Sequence, residues 1–415
     1  MANAACAEAP RVPAHRDAPV SARTVVASLA PIMAVVLVAY LIVGVAMPVL
    51  PLYVHEELGL GTFMVGLAAG VEFAAALVSR FWSGRYADTR GAKRAVVVGL
   101  LLGAAAGVLY LGSIRLAHTP TVAITVLLLG RVLLGGAESF VITGALSWGL
   151  ALGGQANTGR VISWVGTALW AAYAAGAPAG TALYDHFGFL GIALATTLLP
   201  LVTLLLVAPL RALAPSAQAS PSFTRVVRAV WVPGLGMALT AVGFGAITTF
   251  GALMFAERGW GAAWIAFTAL SVAFILGRLV AGHLPDKLGG ARVALICVFV
   301  ETAGLAMIWL APSRTIVFIG AAVTGAGYSL VYPGFGLEAV RRAPPEAKGL
   351  AMGAFTAFLD LALGVASPVL GLLAEHAGLG SVFLVSTLVV LGGAVVAMRL
   401  LRAPVRTSLA QGDRS

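Results

Sequence analysis

Five ionisable side chains stand inside long apolar runs of this chain: Glu72, Glu138, Glu301, Asp360 and Arg131. Charges are costly in hydrocarbon, so those retained there mark proton relays, ion paths or substrate contacts. A carboxyl can gain or lose a proton in the working range, whereas a guanidinium stays charged. Glu72, Glu138 and Asp360 are therefore the candidate proton-coupling groups, with Arg131 as the fixed charge beside them. Counted from the starts of their runs, near 62 and 121, Glu72 and Arg131 are each ten residues in. That is about 15 Å of helix, and equal depth permits a pair. Such a pair either changes protonation as the protein moves or statically holds two helices together, and both readings stand. Glu138 follows Arg131 by seven residues, on a similar face about 10 Å deeper. It suits a second proton stop, a contact to a cationic substrate, or a helix-to-helix hydrogen bond. Asp360, in the middle of its run, is the acid of the C-terminal half expected to face a cavity.

No catalytic constellation accompanies these charges. HExxH, GxSxG and Walker patterns are absent from the sequence, so neither an enzyme nor an ATP-driven pump is implied. The two cysteines, Cys6 and Cys297, have no metal-ligand spacing. No catalytic residue, metal or cofactor is expected.

The elements that position the charges follow from composition. Hydrophobic residues make up 60% of the chain and charged residues 10%, against about 25% charged in a soluble domain. The apolar runs reach the roughly 20 residues a bilayer-spanning helix needs, and they are too long for barrel strands. Twelve helical spans are predicted, near 25–53, 62–84, 95–114, 121–150, 161–183, 190–210, 232–256, 262–284, 293–312, 315–340, 349–374 and 380–402. The fold class is an all-α membrane protein of two six-helix bundles, 25–210 and 232–402. A cytoplasmic tail at 1–24, a polar linker at 211–231 and a tail at 403–415 complete it. Arg225 and Arg228 beside Phe223 and Val227 suggest a short surface helix in that linker, or else a solvated linker carrying positive-inside charge.

The net charge of +10 describes topology rather than a nucleic-acid partner. Of 26 Lys and Arg, only Arg115, Arg258 and Arg314 follow odd-numbered spans and Arg131 is intramembrane, leaving 22 on the opposite side. Positive residues collect in the cytoplasm, which puts both termini there.

The halves repeat. Arg80, Gly84, Asp88, Gly91 and Arg94 recur 198 positions later as Arg278, Gly282, Asp286, Gly289 and Arg292. At an offset of 190, Gly159, Pro178, Asp185, His186 and Gly188 recur as Gly349, Pro368, Glu375, His376 and Gly378. Parallel repeats about an axis normal to the membrane suit alternating access around a midplane site. The first set reads as a gate. Gly176, Pro178 and Gly180, mirrored by Pro368, read as helix-bend positions or as close-packing ones. Tyr40, Tyr173 and Tyr328 are the candidate substrate contacts among the aromatics.

The segment Gly84-Arg-Tyr-Ala-Asp88-Thr-Arg-Gly91-Ala-Lys93-Arg94 resembles the loop 2–3 signature of the major facilitator superfamily. Its second copy runs from Gly282 to Arg292, Arg131 with Gly135 resembles the family's span-four motif, and Gly176-Ala-Pro178-Ala-Gly180 resembles the Gly-Pro motif of proton-coupled exporters. Gly159-Arg-Val-Ile-Ser-Trp164 and Phe244-Gly-Ala-Ile-Thr-Thr-Phe250 look like the bacterial YhhS-type branch of efflux permeases. The resemblance implies the major facilitator fold in the bacterial inner membrane, with Asp88 helping to latch the halves on the cytoplasmic side. It also makes span nine peripheral, which favours a structural role for Glu301. The implied partners are a small-molecule substrate, protons and the lipid bilayer, and a monomer suffices. Export by proton exchange, proton-driven import of a sugar or organic acid, and a non-transporting sensor or scaffold stay open at this point, in that order.

Overall fold

The computed structural model describes residues 22–153, 158–210, 212, 223–343 and 348–402. The tail residues 1–21 and 403–415 and most of the polar segment 211–222 lie outside the described residues. Twelve long helices form the described fold, and strands are absent from it. They are α1 (Ala22–Ala46), α2 (Thr62–Arg90), α3 (Ala92–Arg115), α4 (Pro120–Gly153), α5 (Thr158–Phe187) and α6 (Phe189–Val207). The second half holds α7 (Phe223–Glu257), α8 (Ala263–Ala281), α9 (Gly290–Trp309), α10 (Arg314–Arg342), α11 (Lys348–Ala377) and α12 (Leu379–Arg402).

Phe223 opens α7 directly, with Val226 and Val230 buried. Residues 223–231 are thus the first turns of a spanning helix rather than a separate surface helix. α1 breaks at Met47 and continues through short helical segments to Glu57, where Pro48 and Pro51 each remove a backbone donor. Leu205, Leu279 and Val280 are at least 70% exposed on the outer flank, as expected for helices whose outward face meets lipid tails rather than water.

Within each half the helices pack through small residues. Across the halves the principal contacts are α2 with α11 and α8 with α5, with the tip beyond α1 touching α7. These two crossings are equivalent under the repeat. One face of the molecule carries the α2–α3 and α8–α9 turns and the ends nearest both termini, and is called here the terminal face; the other is the far face.

The repeated signature is also repeated in the backbone. Gly91 (φ 97°, ψ 147°) separates α2 from α3, and Gly289 (φ 88°, ψ 143°) precedes α9. Each donates its N–H four residues back, to Ala87 at 3.0 Å and to Pro285 at 3.1 Å. Only glycine takes such a conformation without strain. The copies differ before that point. α2 runs unbroken to Arg90, whereas α8 stops at Ala281 and a short helix, Leu284–Leu288, follows. Pro285 occupies the place of Ala87 and starts that new turn.

Candidate functional site

The mid-membrane charges begin with α2 and α4. Arg131 forms an ion pair with Glu72, donates from Nε to the Ala68 carbonyl at 2.8 Å, and reaches Tyr110 Oη at 3.4 Å. Both partners are buried. Gly135 lets the helices meet this closely, because a Cβ there would collide with the Glu72 carbonyl. The second carboxylate oxygen of Glu72 accepts no hydrogen bond among the described residues. Glu138 is half-buried about two turns further along α4, has no ion pair with a basic residue among the described residues, and lies within electrostatic reach of Glu72, Arg131, Arg80 and Asp360.

Arg80 carries the charge chain across to the other half. Its Nε donates to Oδ2 of Asp360 on α11. The carboxylate is 4% exposed and the guanidinium side chain 28%, so the pair borders an open space instead of a sealed core. Sequence reading groups Arg80 with Asp88; the structure joins it to Asp360. Asp88 is exposed and has no ion pair among the described residues, and Arg94 and Arg292 are exposed too. Asp286 is likewise exposed.

The α2–α11 crossing is closed on one side of that pair and open on the other. Toward the far face, a Cβ on Gly66, Gly70 or Gly371 would strike the partner helix, at Ser367, at Gly364 and Pro368, and at Thr62 respectively. Thr62 Oγ1 also donates to the Gly371 carbonyl at 2.8 Å. Toward the terminal face, a Cβ on Gly84 or on Gly353 would meet nothing within 4 Å. At this crossing α2 and α11 touch from the far face down to Arg80–Asp360, and the glycines beyond that pair face open space.

Aromatic rings close the middle. Tyr40 and Tyr173 meet edge to face at 6.2 Å between centroids, and Tyr173 meets Trp170 at 5.6 Å. Trp170 stacks on Phe274 at 3.7 Å, and Phe244 stacks on Tyr328 at 5.6 Å. The layer thus joins α1 and α5 of one half to α7, α8 and α10 of the other, and all three expected tyrosines belong to it. Phe274 carries no sequence signal beyond its helix.

The helix-bend residues have other immediate contacts. Both α5 and α11 run uninterrupted through Pro178 and Pro368. Gly176 and Gly180 lie against Gly44 and Val45 of α1, whereas Pro368 packs across the halves on Gly70. Gly282 faces its own helix, at the Arg278 carbonyl. Arg278 is half-buried and points inward over the Phe274 ring, 5.8 Å from its centroid.

Two buried acids lie outside this chain of charges. Glu301 is fully buried and neither of its oxygens has a hydrogen bond among the described residues. Glu338 pairs with Arg341 and Arg342 near the terminal end of α10. The i, i+3, i+4 spacing of Glu338, Arg341 and Arg342 is the signal that could have found that cluster.

The sequence profile described as Major Facilitator Superfamily matches residues 32–266 and 238–415. The chain belongs to the major facilitator superfamily. Its relatives include the uncharacterized MFS-type transporter STM4428 of Salmonella typhimurium, 43% identical over 371 residues, which are 89% of this chain and 96% of that protein. The uncharacterized MFS-type transporter YhhS of Escherichia coli is 37% identical over 366 residues, 88% of this chain and 90% of that one. Among solved structures, the nucleoside transporter NupG superposes with a TM-score of 0.70 at 14% identity, over 90% of this chain and 99% of the other. A bacterial homolog of the lysosomal transporter Spinster, inward-facing and unoccupied, gives 0.69 at 13% identity, over 92% and 98%. At such identities these two report the fold alone. This major facilitator protein is a multi-pass membrane transporter of small molecules and not an enzyme.

Proposed function

We propose that this chain is a secondary active transporter that exports a small organic solute across the bacterial inner membrane in exchange for protons. The observation that carries the reading is the ion pair between Arg80 and Asp360, which joins the halves where the close glycine contacts between α2 and α11 end. Protonating Asp360 would cancel the charge that holds Arg80, freeing α2 from α11 at that level. Glu138 and Glu72 lie within electrostatic reach of the same pair, so a proton moving among these carboxyls changes the force between the halves. The bundles 25–210 and 232–402 would then rock, separating the Gly66, Gly70 and Gly371 contacts while the space beside Gly84 closes. Asp88, exposed and without an ion pair among the described residues in the present arrangement, would latch the terminal face in the other.

The terminal face is cytoplasmic in this reading, because in the sequence 22 of 26 basic residues fall on the side of the even-to-odd loops and the termini. The structure described is then the one that receives solute from the cytoplasm. Both halves of the path belong to one chain, which supports function as a monomer. The Gly-Pro segment at 176–180 favours export over the alternative, proton-coupled import. Everted vesicles carrying the protein and a pH-sensitive dye test this: an exported solute should release protons from an acidified lumen on addition. Solute uptake that instead acidifies the cytoplasmic side in right-side-out vesicles would mean import.

A further inference from the structure

The two arginines related by the repeat face opposite electrostatic situations. Arg80 meets a carboxylate, Asp360. At the equivalent crossing of α8 with α5, the residue matched to Asp360 by the 190-residue offset is Trp170. Arg278 therefore has no acid opposite it, and it makes no ion pair or hydrogen bond among the described residues. Its position is nonetheless inward. A Cβ built on Gly166 of α5 would stand 3.5 Å from Arg278 Nη1, so the guanidinium lies between the halves, while its neighbours Leu279 and Val280 face lipid. Phe274 lies under it, and Trp170 stacks on that ring. Tyr332 is within electrostatic reach of both Arg278 and Arg80, with its hydroxyl held by Thr356 at 2.8 Å.

A half-buried cation without a counter-charge is costly unless something supplies one. Arginine over an aromatic face retains its hydrogen-bonding fork for a carboxylate, sulfonate or phosphate. Phe274 and Trp170 give the subsite an aromatic face beside the guanidinium, which suits a planar or aliphatic body. We infer that Arg278, with Trp170, Phe274 and Tyr332, forms an anion-binding subsite on the C-terminal side of the cavity, and that the solute is an organic anion with an apolar body. This rests on the transport reading above and narrows its substrate. Trp170 replaces an acid here so that the solute, not the protein, neutralises Arg278.

The test uses matched charged and neutral probes on the purified full-length chain in nanodiscs: benzoate, 1-naphthoate and octanoate against their amides. Binding is read by thermal shift and by calorimetry, independently of transport. The expected result is that at least one acid binds about tenfold or more tightly than its amide, that Arg278→Gln abolishes the difference, and that Arg278→Lys retains part of it. A monodisperse Arg278→Gln protein that keeps the preference would overturn the subsite, as would an equal response of acid and amide for all three pairs in the wild type. The two proposals fail separately. Acid binding through Arg278 with no solute-driven proton movement in vesicles refutes proton exchange and leaves the subsite standing, whereas proton-coupled flux of neutral solutes alone refutes the anion assignment.

Discussion

Arg80 on α2 and Asp360 on α11, 280 residues apart in sequence, form an ion pair at the level where the close glycine contacts between these two helices end. Above it the helices meet glycine against backbone; below it Gly84 and Gly353 face open space. A charge pair at such a boundary is a contact that protonation can switch. Asp360→Asn should preserve expression and folding but abolish the pH dependence of solute flux. The reversal Arg80→Asp with Asp360→Arg should recover part of the flux lost in either single variant. Flux in reconstituted vesicles at acidic and alkaline pH checks this, and unchanged pH dependence in Asp360→Asn would remove this acid from coupling.

Glu72 and Arg131 form a second pair, buried within one half. Removing one partner of a buried pair typically costs about 3–5 kcal/mol, because the other charge is left uncompensated. Arg131→Met should therefore destabilise strongly, while Glu72→Gln, which leaves Arg131 its bonds to Ala68 and Tyr110, should cost less. Thermal unfolding of the two variants orders them. If Glu72→Gln also keeps full proton coupling, the pair is a static brace.

Gly84 separates the two conformations most simply. A Cβ there meets nothing within 4 Å, so Gly84→Leu should leave the present arrangement as stable as before. The same side chain would obstruct closure of the terminal face, and transport should fall by about tenfold or more, the effect of roughly 1.4 kcal/mol against the closed state. Normal flux would show that α2 and α11 never approach at this position.

Gly91 and Gly289 should behave as twins. Alanine at φ near 97° or 88° is strained by about 1–3 kcal/mol, so Gly91→Ala and Gly289→Ala should lower thermal stability by similar amounts. A large difference would show that the two turns, though alike in backbone, carry different loads.

Glu301 offers the converse case. Its carboxyl is buried without a hydrogen bond among the described residues, against Gly243 on α7. An apolar group of similar volume is often neutral or stabilising at such a site. Glu301→Met should melt at the same or a higher temperature and transport normally. Loss of flux in a folded Glu301→Met protein would add this acid to the coupling groups.

The sequence and the structure agree where local counting suffices. Helix periods, apolar run lengths and the two offsets give the spans, and equal depth brings Glu72 and Arg131 together. The Arg80–Asp360 pair was not readable this way. No count along the chain relates the register of α2 to that of α11, so in the sequence Arg80 stands only as a member of the repeated set with Asp88. The repeat likewise suggests symmetry that chemistry breaks: Pro285 in place of Ala87 ends α8 early, and Trp170 in place of an acid leaves Arg278 unpaired. Phe274 becomes part of the site only through a ring stacked on it from the other half.

If the halves alternate about Arg80–Asp360, distances across the two faces of the molecule must change together. In a Cys6→Ser, Cys297→Ala background, spin labels at Thr89 and Arg341 span the terminal face, and labels at His118 and Arg314 span the far face. In lipid both pairs should report two populations that change in opposite senses as pH falls, and Asp360→Asn should shift both at every pH. Single distances in both pairs, unmoved by pH and by Asp360→Asn, would contradict that alternation.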